Sequence, residues 1–225
     1  MKSTWFWIGV LLTAGSFAGS FYVWTERAHL LPDQVPTHWN AAGEPDQFLA
    51  RDDMFWILQI GPLVQLGFLA LIPLLLWLSP RSFDFEGSTR IYYRVMTLAL
   101  VLFSYLNGLL LVAYTHPEAN TLRWLLGGLF GFFALLGNVL GQVPRNFWMG
   151  IRVPWTLASP LVWIKTHRLA AWLWVGGGLL GILLVIVGAP LYAFLSLLAV
   201  MVLLPIGYSL WLYKWLERHG KLDIP

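Results

Sequence analysis

Six long apolar runs constrain what this chain can fold into more than any other feature of its sequence. They occupy Trp5–Trp24, Met54–Leu78, Tyr92–Tyr114, Leu122–Leu140, Leu169–Gly188 and Pro190–Trp211. Each is close to the roughly 20 residues that an α-helix needs to cross the ~30 Å hydrocarbon core of a bilayer. Because lipid offers backbone groups no hydrogen-bond partner, such runs are typical of membrane-spanning helices. The sequence therefore predicts an all-α, polytopic membrane protein with six transmembrane helices.

The composition agrees with this class and excludes several others. Hydrophobic residues make up 58% of the chain and charged residues 11%, against roughly 25% charged residues in soluble domains. The net charge is +3, but the basic residues lie at the ends of apolar runs, so we predict no direct contact with nucleic acid. The chain has no cysteine, which excludes disulfides, thiolate metal sites and a cysteine nucleophile. We predict no metal and no cofactor.

The first polar connection, residues 26–53, is acidic and has a strongly constrained backbone. Its formal charge is −4. Its centre, residues 31–48, is dense in proline, asparagine and glycine, which favour turns and extended segments over a long helix. A connection of this length and composition is typical of a folded cap. We therefore predict a structured extracytoplasmic loop between the first two spans.

The distribution of lysine and arginine predicts the orientation. With six crossings, both termini share one side of the membrane with the second and fourth connections. That side carries 11 of the 14 basic residues and the other side carries three. Because basic residues concentrate in cytoplasmic loops, we predict a multi-pass protein of the bacterial cytoplasmic membrane with both termini in the cytoplasm.

The fourth connection, from Gly137 to Arg168, combines cations with aromatic residues. Four basic residues and no acidic ones occur in it, interleaved with three tryptophans. This pattern is typical of an element at an anionic membrane surface. Ser159 followed by Pro160 predicts a helix start, which would place Trp163 and His167 on one helical face.

Arg152 lies within this connection and has three possible roles. It would tie Asn138 and Asn146 to the loop by hydrogen bonds, dock an acidic partner, or neutralise a lipid phosphate. The sequence leaves all three open.

The predicted spans contain no aspartate, glutamate, lysine or histidine, which argues against an ion-coupled transporter. We expect five polar residues of the spans to be buried, namely Gln59, Gln65, Ser104, Asn107 and Asn138, and the first four to form hydrogen bonds between helices. In the acidic loop, His38 has carboxylates nearby, so a structural hydrogen bond, partner recognition and acid–base chemistry are all possible. No catalytic motif occurs, and we predict that the protein is not an enzyme.

Two groups of residues resemble a known family. The first comprises Gly137, Asn138, Pro144, Asn146, Gly150, Ile151, Arg152, Pro154, Trp155, Thr156, Leu157, Trp163, Thr166, His167 and Arg168. It resembles the signature of the SdpI family, bacterial membrane proteins typified by an immunity protein against a secreted killing factor. The second comprises Leu31, Pro32, Pro36, Thr37, His38, Trp39, Asn40 and Gly43. It resembles an uncharacterised module that commonly precedes the SdpI domain.

The resemblance implies two regions and a function. Residues 1–80 would form the N-terminal module with the acidic loop, and residues 81–225 the SdpI-like part with the signature loop 137–168. The implied function is resistance to a secreted antimicrobial peptide, with membrane sensing and signalling. The implied partners are membrane lipids, a peptide toxin outside and a cytoplasmic repressor inside.

The residues that would bind these partners or shape the signature are those of the two motifs: Pro36, Thr37, His38, Asn40, Gly43, Asn138, Asn146, Gly150, Arg152, Pro154, Trp155, Thr156, Trp163, Thr166, His167 and Arg168. The chain departs from the pattern at residues 159–162, Ser-Pro-Leu-Val, where polar or acidic residues are expected. Two alternatives are a transporter or lipid-handling protein and, more weakly, a membrane-embedded hydrolase using His38 with Asp33 or Asp46.

Overall fold

The computed structural model describes residues 4–40, 44–79, 89–116 and 118–223. In this part of the chain, the helices are α1 (Thr4–Glu26), α2 (Met54–Trp77), α3 (Thr89–Thr115), α4 (Thr121–Leu140), α5 (Pro154–Ala158), α6 (Pro160–Ile186) and α7 (Leu191–Arg218). The strands are β1 (Gln34–Trp39) and β2 (Pro45–Ala50). Short 3₁₀ turns at Ala28–Leu30 and Arg51–Asp53 flank the two strands.

All helices except α5 are long and apolar enough to cross a membrane, which gives six candidate spans in the described residues. Many of their large apolar side chains face outward, for example Trp77 at 80% and Trp172 at 78% exposure. Such exposure suits a hydrocarbon environment, because lipid does not penalise apolar surface. The predicted six-helix membrane fold is confirmed.

Helix α6 begins at Pro160, which confirms the helix start predicted from Ser159 and Pro160, and it continues without a break into the apolar run that begins at Leu169. The Ser159 hydroxyl caps the helix by accepting a hydrogen bond from the Val162 amide at 3.2 Å, so the helix forms through the polar residues that follow. Lys165 and His167 therefore lie in the first turns of α6, before its apolar run. The apolar run itself contains no lysine or histidine.

The part of the chain that the structure describes forms two compact units. The first comprises Met1–Ile72 and Ala99–Gly128. Its interhelical polar contacts centre on Gln65, which is fully buried. Gln65 Nε2 donates to Ser16 Oγ at 2.9 Å, and Ser104 Oγ donates to Gln65 Oε1 at 3.0 Å. Asn107 Nδ2 contacts Ser20 Oγ at 3.5 Å. The expected bonds between helices are present for Gln65, Ser104 and Asn107.

The connection between α1 and α2 is a folded cap, as predicted. Strands β1 and β2 pair antiparallel, with Gln34 opposite Ala50 and Val35 opposite Leu49. The hairpin is anchored through β1 and the segment before it by a buried cluster that includes side chains of α1, α2 and α3, namely Val23, Leu31, Val35, Met54, Leu58 and Tyr114. Residues 41–43, which include the predicted site residue Gly43, lie outside the described residues.

The second unit comprises Pro73–Leu98 and Leu129–Pro225. Its helices α4 and α6 approach closely at glycines. A Cβ added to Gly178 would lie 2.6 Å from the Phe130 carbonyl oxygen, and one added to Gly137 would lie 2.8 Å from the Val175 amide nitrogen. Helix α7 is joined to α6 through Trp174 Nε1, which donates to the Met201 carbonyl at 2.9 Å. This packing holds the middle of α6 against α4 and α7, and the signature residues lie in the turns that precede it.

Candidate functional site at the start of α6

The loop between α4 and α5 has a fixed shape without regular secondary structure, and Asn146 is the reason. Asn146 Nδ2 donates to the Pro144 carbonyl at 2.9 Å and to the Met149 carbonyl at 3.0 Å. Its Oδ1 accepts from the Trp148 amide at 2.7 Å and the Met149 amide at 2.8 Å. These four bonds occupy the whole amide. Asn146 is 1% exposed, so it acts as an internal strut for residues 144–149.

Trp163 and His167 attach this loop to α6. Their rings stack at 4.0 Å and both residues are 1% exposed. Trp163 Nε1 donates to the Val143 carbonyl at 2.9 Å. His167 Nδ1 lies 2.8 Å from the Trp163 carbonyl oxygen, and its Nε2 accepts from the Ile151 amide at 3.0 Å. His167 is therefore the neutral tautomer with its proton on Nδ1. The prediction that these two residues share a helical face is confirmed.

Gly150 lets the loop approach this ring pair. Its φ is +102°, a conformation that side chains with a Cβ rarely adopt. An added Cβ would also collide with His167 Nε2 and would lie 3.2 Å from Trp163 Cη2. Glycine is required here for both reasons.

Helix α5 connects the loop to α7. Pro154 occupies its first turn, where the missing N–H costs no hydrogen bond. The buried Thr156 hydroxyl donates to the Ile151 carbonyl at 2.7 Å and accepts from the Val153 amide at 3.1 Å. Trp155 Nε1 donates to Ser209 Oγ at 2.5 Å. We call residues 141–168, which end with the first turns of α6, the loop clamp.

The predicted tie from Arg152 to Asn138 and Asn146 is not formed. Arg152 donates instead to the Phe147 carbonyl and is exposed. Asn138 was expected to be buried but is exposed on α4. Asn146 has no capacity for Arg152, because backbone groups of its own loop use all of its donors and acceptors. Arg152 still holds the loop by a hydrogen bond, but the acceptor is the Phe147 carbonyl instead of an asparagine side chain.

The clamp leaves cations on its surface. Arg152, Lys165 and Arg168 are exposed, and none forms an ion pair within the described ranges. Two polar atoms inside the clamp region, Thr166 Oγ1 and Trp148 Nε1, are buried without a hydrogen-bond partner. Thr166 is thus brought into the packed site with the other signature residues, but its hydroxyl bonds to nothing there.

Sequence reasoning missed Asp223. The Ser159 hydroxyl donates to Asp223 Oδ1, and the Leu161 amide donates to Asp223 Oδ2 at 2.9 Å. A carboxylate at a helix N-terminus is favoured by the helix dipole and by the free amides there. The tail thus supplies an acidic group next to residues 159–162, where the family pattern led us to expect one within the loop. A lone acid just after the last helix was the available signal, but nothing in the sequence pairs it with Ser159.

The polar and charged side chains of the acidic loop form separate pairs on and beside the hairpin. His38 Nδ1 lies 2.5 Å from Asp46 Oδ1, with side chains 57% and 43% exposed. Asn40 Nδ2 donates to Glu44 Oε2 at 3.2 Å, and Asp33 pairs with Arg51 at 2.5 Å. Pro36 is buried in β1, and the Thr37 hydroxyl donates to the Gln47 carbonyl at 3.4 Å. Among the described residues, no group of three or more His, Cys, Asp or Glu has the geometry to hold a metal ion.

Comparison with known families identifies both regions. Residues 142–209 match the SdpI/YfhL protein family. This segment of the chain is of SdpI type. Residues 11–60 match a domain of unknown function, DUF1648, which precedes the SdpI segment and includes the hairpin. The SdpI segment contains most of the loop clamp, all of α6 and much of α7. No curated protein and no solved structure matches the chain.

We expect His167→Phe to destabilise the SdpI segment by about 1–3 kcal/mol, because it leaves the half-buried Ile151 amide without an acceptor while keeping an aromatic ring on Trp163. Thermal unfolding in detergent measures the effect. His219→Phe is the matched control, since His219 makes the same contact with Trp215, four residues earlier, but is exposed and holds no loop. Equal losses in the two variants would contradict the assigned role of His167.

Proposed function

We propose that this protein protects a bacterium against a secreted antimicrobial peptide and reports the peptide's presence to a cytoplasmic partner. The match of residues 142–209 to the SdpI/YfhL family supports the proposal. The observation that carries the mechanism is the internal bonding of the loop clamp. Its signature residues mainly hold one another in place, so the groups it offers to a partner are Arg152, Lys165 and Arg168.

The outward-facing element of this mechanism is the hairpin. Residues 26–53 carry a formal charge of −4, and His38, Asn40 and Asp46 are exposed on the strands and the start of the turn. An acidic, rigid surface attracts a cationic peptide and does not need to become ordered when the peptide binds. The hairpin is therefore the proposed sensor.

The inward-facing element is the loop clamp. Its three exposed cations fit an acidic surface on a cytoplasmic repressor. In the proposed topology of six crossings, the hairpin and the clamp face opposite sides of the membrane, and the excess of basic residues favours the cytoplasm for the clamp. Single cysteines at Asn40 and Gln142, in this cysteine-free chain, test this sidedness with impermeant labels.

Signalling requires two packings of the helices that the peptide binds unequally. The coupling is reciprocal, so a repressor bound to the clamp would change peptide affinity at the hairpin by the same factor.

The test is survival of a toxin-sensitive bacterium that expresses the chain and is exposed to a panel of membrane-active peptides. We expect the unmutated chain to protect, and His38→Ala to reduce protection by at least about fivefold, the lower end of typical coupling factors. Arg152→Ala is expected to abolish reporting while leaving peptide binding to the hairpin intact. His29→Ala and Arg218→Ala, at exposed positions outside the hairpin strands and the clamp, are the matched controls.

Failure of the unmutated chain to protect better than an empty vector against every peptide would refute the resistance role. Cell-associated labelled peptide separates sensing from export. A sensor leaves the amount of peptide in the cell unchanged, whereas an exporter lowers it.

A further inference from the structure

A groove within the first compact unit lies between α1 and α2. Its volume is about 510 Å³. Phe17, Ala18 and Phe21 line it from α1, and Trp56, Gln59 and Leu63 are among the residues that line it from α2. No charged side chain contributes to the lining. Several lining residues are exposed on the surface of the protein, including Phe21 at 58%, Leu63 at 48% and Trp56 at 70%. The groove therefore opens to the surroundings of a membrane-spanning segment.

Gln59 adds one polar group to the otherwise apolar lining of this groove. The residue is 7% exposed, and its Nε2 has no hydrogen-bond partner among the residues that the structure describes. Gln65, on the same helix, has its amide bonded to two neighbouring serines. A buried amide donor without an acceptor is strongly unfavourable, and more so where no water is present to replace one. The groove therefore presents one unused donor in an otherwise apolar lining.

The position of Gln59 along α2 indicates which kind of hydrogen-bond acceptor its side chain can reach. Gln59 follows the start of α2 at Met54 by five residues, so it lies about 7–8 Å along the helix from that end. Trp56 lies near the start of α2, and Phe21 lies near the end of α1. Tryptophan is concentrated where lipid headgroups meet hydrocarbon. This is the level at which a glycerophospholipid carries its two ester carbonyls.

We propose that the α1–α2 groove binds a diester glycerophospholipid, with one acyl chain along the apolar lining and an ester carbonyl accepting a hydrogen bond from Gln59 Nε2. A lipid ester fits better than a second protein helix, because helical carbonyls already accept bonds within their own helix whereas ester carbonyls are free. The uncharged lining predicts little selectivity among headgroups. The proposal is independent of the resistance function.

The decisive experiment compares two lipids that differ only in the carbonyls. The delipidated full-length protein is titrated in detergent with diester or diether phosphatidylglycerol of equal chain length, and binding is followed by the rise in Tm. We expect the diester lipid to bind about threefold to tenfold more tightly, as one hydrogen bond predicts. In Gln59→Leu this preference is expected to vanish. Equal binding of the two lipids by the unmutated protein would overturn the proposal.

Gln59→Leu also carries its own folding check. The substitution removes an unpaired buried donor, so its Tm without lipid is expected to equal or exceed that of the unmutated protein. A lower Tm would mean that Gln59 has an acceptor within the protein, which contradicts the proposal.

Occupancy of the groove is tested by Ala18→Trp, which places a bulky ring in it. Native mass spectrometry of the purified protein is expected to show about tenfold less retained phospholipid, of the order of a lost lipid-binding contact. Ala14→Trp is the matched control, since Ala14 is exposed on the same helix one turn earlier and does not line the groove. Equal lipid retention by the two variants would place the lipid elsewhere.

A second copy of the chain is the rival occupant. Ala18→Cys introduces a single thiol into a cysteine-free protein. We expect the variant to remain monomeric when membranes are oxidised, because lipid separates the grooves of neighbouring molecules. Efficient formation of a disulfide-linked dimer would show that protein fills the groove and would refute the lipid assignment.

Discussion

Alanine at Gly178 is expected to lower the free energy of unfolding by about 3 kcal/mol, the upper end of the typical cost of overpacking. The added Cβ would lie 2.6 Å from both the Ala134 amide nitrogen and the Phe130 carbonyl oxygen. These are backbone atoms of α4, and they cannot rotate away as a flexible side chain does. The variant must therefore move α4 and α6 apart, which also loosens the contact at Gly137.

The measurement is the Tm of the purified protein in a mild detergent, with Gly176→Ala as the control. Gly176 lies two residues earlier on α6, and a Cβ added there meets no atom within 4 Å. In that open position, alanine is expected to stabilise the helix by up to about 1 kcal/mol, since glycine is the poorer helix former. The two alanine variants therefore shift Tm in opposite directions. A similar shift in both would mean that α4 and α6 are not in close contact.

Gly150→Ala is expected to cost about 2–6 kcal/mol, because two penalties act at one residue. The φ of +102° is strained for alanine, at about 1–3 kcal/mol. The added Cβ also collides with His167 Nε2, and relieving this crowding costs about 1–3 kcal/mol more. We expect the loop to detach from α6, breaking the bond between the Ile151 amide and His167.

Loss of Tm reports the energy, and accessibility of a cysteine placed at Met149 reports the detachment. Met149 is 7% exposed, so a thiol there reacts slowly while the clamp is closed. Gly220→Ala separates the two penalties, since Gly220 has a φ of +59° but open space around its Cα. It is expected to show the backbone strain alone. If Gly150→Ala cost no more than Gly220→Ala, the clamp would not depend on contact with His167.

The spans were predictable because each is a local property of the sequence. A run of about 20 apolar residues becomes a transmembrane helix whatever its neighbours do. Hydropathy alone would start α6 too late, since Lys165, His167 and Arg168 interrupt the apolar pattern, but the Ser159–Pro160 pair predicted the start of the helix. A capping serine and the burial of Trp163 and His167 against the loop continue the helix through them. Hydropathy records neither effect.

The candidate site was predictable in membership but not in geometry. Motif resemblance identified Asn146, Gly150, Trp163 and His167, and helical spacing put the last two together. The hydrogen-bond acceptor of Arg152 was not predicted, because every residue has a backbone carbonyl and the sequence does not single one out. Asp223 was missed for a related reason, since its contact with Ser159 joins residues 64 apart in the chain.

The sequence by itself determined that this protein crosses a membrane six times, that a folded acidic cap joins the first two spans, and that an SdpI segment follows. These properties depend on apolar length, turn-forming residues and a motif, all of which act within a short stretch of chain. Only the tertiary structure decided which polar groups are used up by internal bonds and which stay free. That outcome depends on contacts between distant residues, as in the bonded amide of Gln65, the unpaired amide of Gln59 and the cations left exposed by the loop clamp.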